Sequence, residues 1–456
     1  MALTALVWFR QDLRLADNPA LSAAVAAGAR IVPVYVWSPE EEGGWAPGAA
    51  SRWWLHQSLQ ALDASLRERG SQLLLRRGPA GEALQQLAQE TGATQLYFNR
   101  RYEPAAQAIE NALREQLPAA GLTVHSSQSA LLREPWAMRT GTGGPYQVFT
   151  PFWRALLRDL QVDRPLPSPE ALPAPAHWPQ SLPLDALQLL PRLRWHDSLA
   201  SHWTPGEASA RERLLTFGRN GLAGYAQARD LPAVDGTSRL SPHLHYGEVS
   251  PRQVWAAIGK ASERLGDSSW REGRYIAEIV WREFAAHVLH HFPYLPERPK
   301  NLAFERLAWR EDPAALRAWQ QGRTGIALVD AGMRELWQTG FMHNRVRMVA
   351  GSLLVKNLLL PWQDGERWFW DTLVDADLAS NALGWQWVAG TGPDAAPFFR
   401  IFNPDTQAEK FDPKGEYRRR WLAGAQASPV QPIVDLKTSR QRALAAHLAL
   451  RQPAGD

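Results

Sequence analysis

The sequence predicts two domains of different class. The first is an N-terminal α/β domain on a parallel, five-stranded, Rossmann-like sheet, and the second is an all-helical C-terminal domain. Three observations carry this. Short apolar runs alternate with helical patterns over the first part of the chain, which is the signature of a parallel sheet covered on both faces. No strand-like run occurs in the last part, where the patterns are long and helical. Between the two lies a stretch punctuated by Pro165, Pro167, Pro169, Pro173, Pro175, Pro179 and Pro183, a density that forbids long helices and implies an extended connector. The expected divisions are 1–127, 128–204 and 205–456.

In order, strands are expected at Leu6–Phe9, Ile31–Val36, Leu73–Leu75, Gln95–Phe98 and Leu122–His125. Helices are expected between them at Pro19–Ala27, Arg52–Arg69, Gly81–Glu90 and Pro104–Leu117. The first strand is not followed by G-x-G-x-x-G, and G-x-x-x-x-G-K-S/T is absent, so neither a nicotinamide dinucleotide nor an ATP phosphate site is supported. The default place for a ligand in this half is the crevice at the carboxyl ends of the strands. The connector is rich in Trp and Leu and is expected to pack on both domains. Helical patterns then cover Glu207–Phe217, Ser250–Ile258, Trp270–His290, Pro313–Gln321, Gly325–Thr339, Asn344–Leu358 and Gly365–Leu373, with a short basic tail after Trp421.

Composition narrows the function. With 456 residues, 45% hydrophobic and 21% charged, the chain is an ordinary globular one with room for several cores. No cysteine is present, which excludes disulfides, thiolate metal sites and Cys nucleophiles and suits a reducing compartment. There is no long apolar run and no basic leader, so neither a membrane span nor a secretion signal is expected. The expected location is the cytoplasm and the expected state a monomer. A net charge of +4 permits a nucleic-acid partner only through a local basic patch. Twenty-two tryptophans are unusual. They offer stacking surfaces and oxidisable groups, or simply fill a large core.

The densest chemistry lies in Asp375–Asn403. Asp377, Asn381 and Trp385 are spaced i, i+4, i+8, which puts them on one helix face. A flat ligand with polar edges and an aromatic body would satisfy such a face; a tryptophan-rich core with capping acids is the plainer alternative. The loop Gly236-Thr237-Ser238-Arg239-Leu240-Ser241-Pro242 precedes a helix and suits an anion, or is an ordinary Ser N-cap. Glu278, Trp281 and Arg282 share a face of one helix, and a solvated Glu278–Arg282 pair is the plainer alternative.

These stretches resemble the photolyase/cryptochrome family. WFRQDLRLADNPAL, TSRLSPHLHYGEVSPRQVW, EIVWREF, GFMHNRVRM, the Asp375–Asn403 stretch and IFNPDTQAEKFDP match family landmarks in family order over nearly the whole chain. The chain looks most like a cyclobutane pyrimidine dimer (CPD) DNA photolyase of class I or class III type. The resemblance implies that the helical domain binds FAD. It also implies light-driven repair of dimers in DNA, by electron transfer from photoexcited reduced FAD. A cryptochrome-type blue-light photoreceptor acting through a partner is the alternative, and a flavin-binding protein without repair activity is a third reading.

Carried over residue by residue, the resemblance assigns FAD contacts to Tyr225, Thr237, Ser238, Leu240, Ser241, Arg282, Asn344, Arg347, Asp375, Asp377 and Asn381. The catalytic set is Glu278, Asn344, Met348 and Asn381. Damaged DNA falls to Glu278, Trp281, Arg345, Met348 and Trp387, with Lys410, Lys414 and Arg418–Arg420 as further phosphate contacts. Trp385, Trp362 and Trp309 match the electron-relay tryptophans, inner to outer. Asn344 and Met348 stand where six-four photolyases carry histidines, which favours the cyclobutane dimer. Asn381, where plant cryptochromes carry Asp, favours repair. The antenna ligands of the folate-binding and deazaflavin-binding groups are missing. LSPHLHYGEVS is more similar to plant cryptochromes and class III photolyases, which implies a folate such as methenyltetrahydrofolate, or no antenna.

Overall fold

A computed structural model describes residues 3–191, 193–423 and 431–450. The five expected strands form: β1 Thr4–Phe9, β2 Arg30–Trp37, β3 Leu74–Arg77, β4 Gln95–Asn99 and β5 Thr123–Ser127. They pair in parallel in the order β3-β2-β1-β4-β5. The central β1 is buried along its whole length, as a strand covered on both faces must be. Helices α1 Pro19–Ala26, α2 Ala49–Arg67, α3 Ala80–Thr91 and α4 Pro104–Gln116 supply the covers. One core holds Val7, Phe9, Ile31, Trp54 and Leu59, and the other holds Leu6, Trp8, Val32, Leu84 and Phe98. Alternate residues of β1 thus go to opposite layers, the period-2 rule of a strand.

The connector differs from expectation in one respect. It contains a helix, α5 Phe149–Asp159, whose Phe149, Phe152 and Leu156 join a core of the helical half. Four apolar residues at i, i+3, i+4 and i+7 (Phe149, Phe152, Trp153, Leu156) carry the helical period and outweigh the distant prolines. Beyond it the chain is extended and lies along the sheet domain, where the Ile31 and Leu182 N–H groups donate to Pro173 O and Leu75 O at 2.7 and 3.1 Å.

The helical half contains α6 Glu207–Thr216, α7 Tyr225–Ala228, α8 Ser241–His245, α9 Pro251–Arg264, α10 Arg274–His291, α11 Pro313–Gln320, α12 Ala327–Thr339, α13 Asn344–Ser352, α14 Trp362–Thr372, α15 Leu378–Ala389, α16 Pro404–Phe411, α17 Glu416–Leu422 and α18 Leu436–Ala449. The pattern expected as one helix over Asn344–Leu358 is α13 followed by a wider, π-type turn at Leu353–Asn357, a feature frequent near functional sites. Where a short basic tail was expected after Trp421, α18 packs back on that turn: Asn357 Nδ2 donates to Ser439 Oγ at 2.8 Å. Residues 424–430 and 451–456 of that tail lie outside the described residues.

The two halves are locked by buried polar groups. Gly247 has φ +63°, and a Cβ there would lie 2.1 Å from Gln11 O, so only glycine allows this approach. Around it Arg14 Nη1 donates to Gly247 O at 2.8 Å, Arg252 pairs with the fully buried Asp17 at 2.8 Å, and Glu207 accepts from the Leu15 and Ala16 N–H groups. No helix among the described residues is long and apolar enough to cross a membrane.

Candidate functional site

Helix α15 organises the site. Asp377 caps it by accepting from Ser380 N–H at 2.8 Å, a role that needs an ionised carboxylate near a helix start. Burial would raise the Asp377 pKa, but His245 and then Arg282 hold it well below the usual carboxylate range. His245 Nδ1 lies 3.7 Å from Asp377 Oδ2.

Two sides of α15 are committed to packing. Leu378, Ala379 and Leu383 belong to one core, and Trp385, Val388 and Ala389 to another. The third side carries Ser380, Asn381 and Gly384. Gly384 is exposed although it sits mid-helix between the buried Leu383 and Trp385, and a Cβ there would meet nothing within 4 Å. Glycine inside a helix costs about 1 kcal/mol relative to alanine. An exposed glycine facing open space between two cores is therefore a cradle for a ligand rather than a packing necessity. Asn381 Nδ2 donates to Glu366 O at 3.0 Å, which fixes the amide beside that space.

Other groups converge on the same region. Arg347 Nη2 holds both oxygens of Asp375, at 3.0 and 2.9 Å, and Ser241 Oγ donates to Asp375 Oδ2 at 2.6 Å. The loop from Thr237 to Ser241 is thereby tied to the start of α15. Within it Arg239 takes φ +51°, a left-handed conformation that is strained for a long side chain and typical of functional loops. Its guanidinium turns inward over Trp203 at 4.4 Å, so the outer side of the loop is left to the backbone and hydroxyls. Tyr225 opens α7 and packs edge-on to Phe217 and Tyr275, while Leu240 is buried in the same core.

The expected lesion-side residues divide. Arg345 lies beside Met348, Nη1 to Sδ 3.9 Å, and Asn344 is exposed at the start of α13. Trp387 stacks on Phe402 at 6.2 Å and 22°. Trp281 is stacked face to face on Phe149 of α5, at 3.8 Å and 2°, so one of its faces is already occupied. Arg282 donates to Ala130 O in the connector. Arg418 is spent on Asp412 at 3.0 Å, and Arg419 Nη1 donates to Lys414 O.

Of the three tryptophans expected to relay electrons, Trp385 and Trp362 are buried and Trp309 partly so, all in one core. Trp362 is the first residue of α14, which starts three residues before the expected Gly365. Trp385 presses on the next turn of that helix, where a Cβ on Gly365 would lie 2.1 Å from its ring. Trp319 and Phe369 also meet Trp385, edge to face, at 6.1 and 5.0 Å. His343 is 5% exposed, and its Nε2 has no partner among the described residues. It accepts from Arg345 N–H at Nδ1, and burial lowers its pKa to about 4.

Sequence reasoning missed three groups. Arg229 Nη1 is paired with Glu278 Oε1, and Asp230 with Arg345 at 2.8 Å. The signal was the Arg-Asp dipeptide four and five residues after Tyr225. Glu366 is fully buried with neither carboxylate oxygen partnered among the described residues. Burial, reinforced by Glu297, pushes its pKa well above the carboxylate range. An acid on the same face as Trp362, Gly365 and Phe369 was its sequence signal.

An α/β domain is thus joined to a helical domain that carries an open, polar-edged cradle on α15. The chain belongs to the photolyase/cryptochrome family: family models described as "DNA photolyase" and "FAD binding domain of DNA photolyase" match residues 5–175 and 275–449. It is 46% identical to a deoxyribodipyrimidine photo-lyase of Agrobacterium fabrum over 98% of both chains. It is 41% identical to Cryptochrome-1 of Arabidopsis thaliana over 91% of this chain and 62% of that protein. Among solved structures, a bacterial class III photolyase from Agrobacterium tumefaciens superposes with a TM-score of 0.94, at 46% identity, over 99% of this chain and 98% of that one. The C-terminal half is thus the family's FAD-binding domain.

Proposed function

We propose that this protein repairs cyclobutane pyrimidine dimers in DNA by light, as a deoxyribodipyrimidine photo-lyase acting as a cytoplasmic monomer, with domain divisions at residues 127 and 204. The observation that carries the reading is the α15 cradle: an exposed mid-helix glycine beside an oriented Asn381 amide, between the Asp375–Arg347 pair and a set of aromatic and acidic groups that can face a lesion. Identity to a photo-lyase over the full length of both chains supports it.

The cradle fits FAD. Thr237, Ser238, Leu240 and Ser241, with Tyr225, would hold the diphosphate through hydroxyls and N–H groups, and Arg282, Asn344, Arg347, Asp375, Asp377 and Asn381 would line the ring. Bound, reduced FAD supplies light absorption and the electron. Asn381 presents a neutral amide to the ring, adding no charge beside an anion. The Glu278 carboxylate hydrogen-bonds the dimer by accepting from a base N–H. Trp387 stacks on the extruded bases and Met348 closes the pocket; the open part of Trp281 extends that wall. Extruding the dimer costs a few kcal/mol and is cheapest where stacking is already damaged. Arg345 takes a backbone phosphate. Trp385, Trp362 and Trp309 pass electrons inward from solvent when the flavin must be reduced. For the antenna, the cleft of about 240 Å³ between the halves, walled by Trp45 and Trp370 and edged by Arg101 and Glu103, suits a folate such as methenyltetrahydrofolate better than the crevice of about 60 Å³ at the strand ends.

The test is dimer loss from a defined oligonucleotide, in light and in darkness, with the flavin reduced beforehand. Light-dependent loss is expected. Flavin binding without it would turn the reading toward a photoreceptor.

A further inference from the structure

Four charged side chains stand in a row of alternating sign: Glu278, Arg229, Asp230 and Arg345. Arg229 Nη1 holds Glu278 Oε1. Its Nε lies 3.9 Å from Asp230 Oδ1. The same Asp230 oxygen accepts from Arg345 Nη2 at 2.8 Å. The two acids are about one-third exposed, at 35% and 36%, and the two arginines are mostly covered, at 16% and 19%. The row therefore runs along the mouth of the site rather than out in solvent, where such pairs would be worth little.

Arg345 is held on its other sides by soft contacts only. Its guanidinium lies over Phe411 at 4.3 Å and beside Met348 Sδ, and its Nε N–H has no acceptor among the described residues. Asp230 is thus its one charged partner among the described residues. Asp230 in turn sits where a shared oxygen must serve two cations, and a carboxylate released by one guanidinium can move fully to the other.

We propose that Asp230 is a positioning residue that makes phosphate capture by Arg345 depend on a lesion engaging Glu278. Without a lesion, Glu278 occupies Arg229, so Asp230 remains with Arg345 and masks it from the DNA backbone. A dimer that takes Glu278 frees Arg229, Arg229 draws Asp230 across, and Arg345 is released to a phosphate. Thermodynamic coupling is reciprocal: a phosphate on Arg345 equally loosens Glu278 toward the dimer. The row then converts an otherwise sequence-blind phosphate contact into one that discriminates damaged from undamaged DNA. The inference rests on the repair reading for the partners of Glu278 and Arg345, and adds Asp230 to it.

The test uses the FAD-loaded protein and duplexes with and without a single dimer, titrated across a range of salt. Asp230→Asn is expected to raise affinity for undamaged DNA roughly fivefold and damaged DNA less. The dependence of log affinity on log salt for undamaged DNA should steepen by up to about one phosphate equivalent. Asp230→Glu should restore discrimination. On an Arg345→Gln background, Asp230→Asn should change neither affinity nor salt slope. Equal shifts on both DNAs with an unchanged slope, or an effect that persists without Arg345, would make Asp230 merely structural and overturn the proposal. Should the Asn variant lose its flavin, Asp230→Ser gives the same reading. A wild type that shows no light-dependent dimer loss removes the repair reading itself. A wild type that repairs, with unaltered discrimination in Asp230→Asn, removes only the role of Asp230.

Discussion

The crevice of the sheet domain and the cradle on α15 are both rich in charged and aromatic groups, and they differ in the kind of group left without a partner. At the carboxyl ends of the strands, Arg101 is held by Glu42 at 2.6 Å and Glu103 at 3.2 Å, and Arg10 by Glu110 at 2.7 Å. Among the described residues Arg10 Nε and Trp8 Nε1 lack partners at the strand ends, as the Nε atoms of Arg345 and Arg239 do around α15, but only around α15 is a whole carboxylate, both oxygens of Glu366, left without one. One unmatched N–H on a guanidinium that is otherwise paired is a small matter, whereas a buried acid with no partner calls for an explanation in a bound group or a retained proton. Neither the number of polar residues nor a single unmatched N–H separates the two regions; the unpartnered buried acid does.

The sharpest break of this comparison should come from the relay. Trp362→Phe is expected to largely abolish light-driven reduction of oxidised flavin by an external reductant, read as bleaching of the oxidised band under blue light. Repair with chemically reduced flavin should stay near normal. If both activities collapse while FAD stays bound, Trp362 packs and does not conduct; if reduction survives, another ring beside Trp385 serves.

Arg101→Gln should have the converse profile. Leaving Glu42 and Glu103 without their cation is expected to lower unfolding stability by about 3 kcal/mol, measured by denaturant titration, with repair under direct flavin excitation unchanged. A loss of repair at unchanged stability would mean that the sheet crevice takes part in the chemistry.

Trp387→Ala should weaken binding to dimer-containing DNA by about 1–3 kcal/mol, the worth of stacking a base on an aromatic ring, and leave undamaged DNA alone. Trp281→Ala should behave differently because its ring is stacked on Phe149: stability falls along with affinity. Glu278→Ala should keep FAD and lower repair per absorbed photon roughly fivefold, the ~1 kcal/mol of one hydrogen bond; an unaltered quantum yield at saturating dimer removes it from the catalytic set.

The smallest effect is a slope with pH. Burial lowers the pKa of His287 and of His343 to about 4, below the ordinary value near 6.5. Between those values the unfolded chain takes up protons that the native protein refuses. Stability is therefore full above pH 6.5 and falls as pH drops toward 4. Glu283, raised by burial to about 7, and Glu366, also raised by burial, work the other way, against these two histidines and the likewise lowered His290 and His291. Thermal unfolding midpoints should decline on acidification; a rise would mean that the buried acids dominate.

The strands were legible in the sequence because each is a short apolar run between turn residues, and burial on both faces leaves that mark along the chain. The helix under Asp377, Asn381 and Trp385 was legible because its cap and its i, i+4 spacing are local. The family landmarks were legible as quoted runs. The α5 helix was obscured by the run of prolines that follows it, although its own period was intact. What only the tertiary structure decided is which groups meet: Trp281 with Phe149 across 132 positions of chain, Asp230 with Arg345 across 115, and a carboxylate at Glu366 left without a partner among the described residues. Spacing along a helix fixes which face a side chain occupies. Whether that face meets a partner charge, a second ring or empty space depends on how helices distant in sequence pack, and no local pattern carries that information.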